Sequence, residues 1–143
     1  MLNTNNTKYV GIDYGKKRTG ISISDNQKIM SFPYDTVNTG ELIRFLENLI
    51  KNENIEKIII GKPYRLNNQL HDLENDIIKL IEKLKLYFPK ILIDRVDERF
   101  TSKISSKIVN AVNTKKNKRM DKSIIDKISA SLILESYLIK ISR

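Results

Sequence analysis

The spacing of apolar residues changes along the chain, and each change marks an element. From Lys8 to Asp13 the run Lys-Tyr-Val-Gly-Ile-Asp reads as a strand. From Arg18 to Ser24, the small residues Gly20, Ser22 and Ser24 alternate with Ile21 and Ile23, which predicts a second strand. The intervening Gly15-Lys16-Lys17 turn makes the pair a hairpin. A third strand is expected around Lys28 to Phe32, after a turn at Asp25-Asn26, with Pro33 and the polar stretch behind it breaking the pattern.

The period then lengthens to about 3.6 residues. Leu42, Phe45, Leu46, Leu49 and Ile50 recur at helical spacing, and Asn38 or Thr39 is suited to cap that helix. Ile58 to Ile60 is short and wholly apolar, as expected of a strand covered on both faces, and ends at Gly61-Lys62-Pro63. A loop from Tyr64 to Gln69 follows. Leu70, Leu73, Ile77, Leu80, Ile81 and Leu84 predict a second helix, and Ile91 to Val96 a fifth strand after Pro89. Thr101 is placed to cap a third helix carrying Ile104, Ile108 and Val112. Ser123 is placed to cap a last one with Ile125, Ile128, Leu132 and Ile133 inward, running to about Ile139. Hairpins first and helical crossovers afterwards predict an α/β fold. Its mixed five-stranded sheet opens with three antiparallel strands and carries helices on its faces, in one domain over residues 1–143.

Composition narrows the chemistry. The 143 residues contain no cysteine, which excludes disulfides, thiolate zinc sites and cysteine nucleophiles and fits a reducing compartment. Met1 to Thr7 is polar, and no apolar run approaches the roughly 20 residues that span a bilayer, so a cytoplasmic protein without membrane contact is expected. Lys and Arg number 26 against 17 Asp and Glu, for a net charge of +9. That favours a polyanionic partner such as nucleic acid, although a chain rich in Lys, Asn and Ile would carry such a charge through compositional bias alone.

Three acids stand where chemistry is expected. On the first strand Val10 and Ile12 face one way and Gly11, Asp13 and Gly15 the other, leaving a carboxylate beside two positions without side chains. That Asp either caps the hairpin turn or faces a cation. The fifth strand ends in Val96-Asp97-Glu98-Arg99-Phe100-Thr101, with two carboxylates and a guanidinium at a strand-to-helix junction. Neighbours on a strand face oppositely, so one of Asp97 and Glu98 can address a given site, and the longer Glu98 is preferred. Asp126 lies in Ser123-Ile124-Ile125-Asp126, a spacing that also fits a capping box. Three carboxylates gathered in one place would suit hard divalent cations, Mg2+ or Mn2+, and phosphoryl chemistry.

Val10-Gly11-Ile12-Asp13-Tyr14-Gly15, Ile58 through Pro63, Asp97 through Thr101, and Asp126 through Leu134 together resemble the YqgF/RuvX family over nearly the whole chain. The resemblance implies a ribonuclease H-like nuclease. Its substrate would be the precursor of 16S ribosomal RNA, trimmed at the 5′ end, or a four-way DNA junction cut by a Holliday junction resolvase. It also implies that Asp13, Glu98 and Asp126 are the catalytic, metal-binding acids. Phosphate contacts are expected from Lys16, Lys17 and Arg18 beside Asp13, from Arg99, and from Lys115, Lys116 and Arg119 in the basic stretch between Asn113 and Lys122. Arg99 could alternatively pair with a neighbouring acid. The protein would act as a monomer or a homodimer, and a binding module that has lost catalysis is the competing reading from another class. Where the family reads Gly-Leu-Pro this chain has Gly61-Lys62-Pro63, which makes the rim of the site more basic, and Ser129 and Ser131 flank Ala130 where the family favours alanine.

Overall fold

A computed structural model describes residues 6–63, 68–97 and 122–142. Strands β1 (Lys8–Asp13), β2 (Arg18–Ser24) and β3 (Ser31–Asn38) come first, followed by helix α1 (Leu42–Asn52) and strand β4 (Ile55–Lys62). Helix α2 (Asn68–Tyr87), strand β5 (Leu92–Asp97) and helix α3 (Lys122–Ile141) complete the described order. The five strands form one sheet in the order β3-β2-β1-β4-β5, antiparallel across β1–β2–β3 and parallel across β1–β4–β5.

Pleating divides the side chains between two layers. Val10, Ile12, Ile21, Ile23, Ile58 and Ile60 face α1 and α2, where they meet Leu42, Leu46, Leu49, Ile77, Leu80 and Leu84. On the other face Ile59 and Val96 pack against Ile133, Leu134, Tyr137 and Leu138 of α3. Each isoleucine of the β4 run is thus fully buried whichever way it points, as a central strand covered on both sides requires.

Along Gly11, Gly20 and Ser22 the α3 face of β1 and β2 carries almost no side chain. A Cβ on Gly20 would lie 2.0 Å from the carbonyl oxygen of Asp126, and one on Gly11 would lie 2.8 Å from Cβ of Leu134. The helix backbone therefore rests directly on the strands. Ser22 Oγ donates to the Ala130 carbonyl at 2.7 Å and Ser31 Oγ to that of Ser131 at 2.8 Å, while Thr36 Oγ1 donates to that of Ser123. Ser131, one of the two serines flanking Ala130, is buried and lies 3.1 Å from Ser31 Oγ, so its hydroxyl takes part in this seam.

Toward its C-terminal half α3 is held by a polar chain. Lys57 Nζ donates to Tyr137 Oη at 2.8 Å, and that hydroxyl donates to Asp94 Oδ2 at 2.8 Å. Burial first, and then the Asp94 carboxylate, push the Tyr137 phenol up to about 12, so it remains a donor. On the opposite face Arg95 grips Glu74 of α2 bidentately, at 2.7 and 2.9 Å, and donates to the Gly61 carbonyl at 3.0 Å. This fork ties α2 to the C-terminal ends of β4 and β5.

Several boundaries depart from the periodicity. The third strand starts later than Lys28 and runs through Pro33 to Asn38, because β3 is an edge strand and a proline there removes no ladder bond from a central pair. The register shifts between Ile21 and Ser22, whose partners are Asp35 and Pro33, so Tyr34 is accommodated as a bulge. Asn38 makes no side-chain cap; a short 3-10 turn, Thr39–Glu41, leads into α1 instead. Strand β4 extends from Ile55 to Lys62, beyond its apolar centre, because Lys57 and Lys62 still pair with β5. Ser123 lies inside α3 and not before it, and the buried stripe is Ala130, Ser131, Ile133, Leu134, Tyr137 and Leu138, with Ile125, Ile128 and Leu132 half-buried. The helix expected after Thr101 lies outside the described residues.

Two stability predictions follow from these contacts. Gly20→Ala should destabilise the protein by at least ~2 kcal/mol, because helix backbone and not a flexible side chain occupies the space. Gly40→Ala, whose added Cβ meets nothing within 4 Å, should not; urea unfolding of the two variants checks the contrast. The Arg95 fork holds the Glu74 carboxyl below its ordinary range. Its stabilisation is therefore complete above the unfolded value of about 4.3 and is lost as pH falls through the lower folded value. Glu74→Gln should lower stability at neutral pH by about 2 kcal/mol and flatten the decline below pH ~4, in denaturant titrations run across that range.

Candidate active site

The site is built where the C-terminal end of β1 passes under the first turns of α3. Asp13 is the last residue of β1 and is half-buried. Its cross-strand partner is Gly20, the residue on which the Asp126 backbone rests. Asp13 shares the α3 face with Gly11 by strand alternation, so the two acids, distant in sequence, address the same region. Asp126 Oδ2 accepts from Arg18 Nε at 2.8 Å, with Asp126 23% and Arg18 39% exposed. The acid thus turns toward the hairpin and not back onto Ser123 as a capping box would have it.

The hairpin turn beside Asp13 is braced. A Cβ on Gly15 would lie 2.4 Å from the Arg18 carbonyl, so the turn closes too tightly for a side chain there. Thr39 Oγ1 donates to the Gly15 carbonyl at 2.6 Å, and Thr39 N to that of Lys17 at 3.0 Å. Thr19 Oγ1 lies 2.8 Å from Thr39 Oγ1 and completes the brace. Lys16 and Lys17 are exposed on this fixed turn.

Asp97 pairs with Lys62 at the end of β5. Pleating assigns it to the face of Ile93 and Arg95, toward α2 and opposite to that of Asp13. Glu98, Arg99, Lys115, Lys116 and Arg119 lie outside the described residues. Among the described residues no three acids or histidines gather as a ligand set. The two acids brought together, Asp13 and Asp126, offer only hard carboxylate oxygens, a donor type that suits Mg2+ or Mn2+ and not a soft metal.

Periodicity did not single out three participants. Thr39, expected only as a helix cap, braces the turn beside Asp13. Gly20 lets α3 approach, and its signal was a glycine inside a strand pattern, which marks close backbone approach. Arg18, expected on phosphate, pairs with Asp126; a guanidinium held by an acid 108 residues away leaves no local signal.

With this geometry in view, likenesses to known proteins are informative. Residues 7–140 match the family described as RuvX: Holliday junction resolvase. A protein of Bacteroides fragilis named "Putative pre-16S rRNA nuclease" is 41% identical over 132 residues, covering 92% of this chain and 96% of its own. Proteins of the same name from Christiangramia forsetii and Karelsulcia muelleri are 39% and 42% identical over 92% of this chain, and 97% and 98% of their own. Among solved structures, Thermus thermophilus RuvC bound to a Holliday junction superposes with a TM-score of 0.63 at 9% identity, over 95% of this chain and 96% of that one. A second Thermus thermophilus RuvC structure gives 0.55 at 12%, over 95% and 97%. At these identities the likeness establishes a shared ribonuclease H-like fold. By its match across residues 7–140 and its relatives of nearly equal length, this chain belongs to the RuvX family.

Proposed function

We propose that the protein is a divalent-metal-dependent endonuclease, one nuclease domain over residues 1–143, that hydrolyses phosphodiester bonds during 5′-end maturation of precursor 16S rRNA in the cytoplasm. The observation that carries the reading is the convergence of Asp13 and Asp126 on one face of the sheet, across Gly20. Relatives about 40% identical over nearly their full length bear the name of that nuclease. Glu98, directly after β5, is assigned as the third acid, since Asp97 falls on the other face.

Divalent cations held by these oxygens, Mg2+ or Mn2+, would lower the pKa of the attacking water and stabilise the leaving oxygen. The chain supplies the rest. Asp13 sits on a central strand that cannot shift without disturbing both cores, which fixes its carboxylate. Arg18 holds Oδ2 of Asp126 and so sets the orientation of the second acid. Lys16 and Lys17, on a turn braced by Thr39, offer positive charge to phosphates flanking the cut, with Arg99, Lys115, Lys116 and Arg119 assigned to the same task. Such contacts position a strand and carry no sequence information.

The family's description and the likeness to RuvC favour a second reading, resolution of four-way DNA junctions. That reaction requires two matched cuts and hence a symmetric homodimer, whereas trimming rRNA can be done by a monomer.

Asp13→Asn should reduce Mg2+- or Mn2+-dependent cleavage of a labelled precursor-rRNA 5′ segment at least 100-fold while leaving the circular dichroism spectrum and melting temperature near wild type. Asp126→Asn should do the same. A fully active Asp13→Asn would overturn the proposal, and cleavage of a four-way junction alone would transfer it to the second reading.

A further inference from the structure

The face of the sheet opposite Asp13 holds a cavity of about 260 Å³ beneath the end of β1. Its apolar floor is Leu42, Ile43 and Leu80, and its wall is the ring of Tyr14, the residue directly after Asp13. Two cations one helical turn apart, Lys79 and Lys83, stand at its rim and are exposed, while Asp76 adds a carboxylate from the same helix. An apolar floor, an aromatic wall and paired lysines match, in turn, the face of a base, its stacking partner and its phosphate.

We propose that this cavity is a nucleotide subsite, taking one unstacked base of a single strand together with its phosphate. The inference rests on the nuclease reading for its role, since Tyr14 and Asp13 are adjacent and a strand crossing the end of β1 meets both. A cavity of about 260 Å³ is on the scale of a single nucleotide, so the ligand proposed is one unpaired base of a single strand. Asp76 offers only acceptors as a carboxylate, so it selects a base that bears an exocyclic amino group over one that presents a carbonyl at the same place. No base pairing is read here; the pocket distinguishes unpaired from paired and amino from keto.

Gly40 supplies a clean variant, because it lines the cavity and an added Cβ there meets no atom within 4 Å. Cytidine and uridine 5′-monophosphate are titrated into the full chain without divalent metal, following NMR signals of Tyr14 and Ile43. Cytidine monophosphate should bind saturably and shift both. Gly40→Leu should weaken it at least tenfold with the melting temperature unchanged, Lys79→Gln with Lys83→Gln several-fold, and Lys85→Gln not at all. Uridine monophosphate should bind more weakly, and equal binding would overturn the role given to Asp76. Unperturbed Tyr14 and Ile43, or undiminished binding by Gly40→Leu, would overturn the subsite even if Asp13→Asn abolishes cleavage. Binding of this kind alongside an active Asp13→Asn would sink the nuclease reading and leave the subsite standing.

Discussion

The contact on which the rest depends is backbone against backbone: α3 lying on the strip of Gly11, Gly20 and Ser22. A helix normally stands off from a sheet by the thickness of two side-chain layers. Here one layer is missing, and the Asp126 carbonyl occupies the place where a Cβ of residue 20 would be. The polar groups that such closeness would otherwise strand are satisfied by hydroxyls, with Ser22, Ser31 and Thr36 each donating to a carbonyl of α3. Among the described side chains no buried nitrogen or oxygen lacks a partner. The serines and threonines of β2 and β3 are therefore as much a part of the packing as the isoleucines facing the other way.

This closeness has a consequence for chemistry. A carboxylate at the start of a helix standing at ordinary distance could not share ligands with one on the central strand. By removing a layer, the fold brings Asp126 over Gly20 and hence beside Asp13. The Arg18 guanidinium pairs with Asp126 and so places a positive charge from the hairpin beside that acid. The opposite face is filled by a large apolar cluster, and the half-buried Arg95–Glu74 pair there has every described guanidinium bond directed at a carboxylate or a carbonyl. Both faces of the sheet carry a buried apolar cluster, and the α3 face carries the half-buried acids as well.

How much of this could be read beforehand depends on whether a feature is local. The period-2 alternation of Ile21 and Ile23 against Gly20, Ser22 and Ser24 is local, and it reported both faces of β2 correctly. So did the triple isoleucine of β4, and the order of three antiparallel strands followed by parallel crossovers. Edge position is not local: nothing near Pro33 tells whether its missing N–H faces a partner or solvent, and β3 therefore ran further than expected. The inward stripe of α3 was misplaced by a few residues because its packing partner is a glycine strip, against which Ala130 and Ser131 bury more completely than Ile125 or Leu132. Asp13 and Asp126 were legible as acids in suggestive places, but their proximity belongs to tertiary structure alone. The pairing of Arg18 with Asp126, 108 residues apart, could not be read from spacing.

The likeness to RuvC at 9% identity shows which of these features a fold retains. Nearly every side chain can differ and the strand order and layer arrangement still superpose, because those follow from alternation, crossover geometry and volume, which many sequences satisfy. What cannot vary so freely is the set of positions where two backbones touch, since only the smallest residues fit there. Substituting an isoleucine by a leucine redistributes volume within a core; adding one carbon at residue 20 moves a helix and the acid it carries. Residues with no functional group therefore decide where the Asp126 carboxylate sits. Gly20 sets how closely the helix bearing Asp126 approaches the strand bearing Asp13, and the proposed nuclease chemistry needs that closeness.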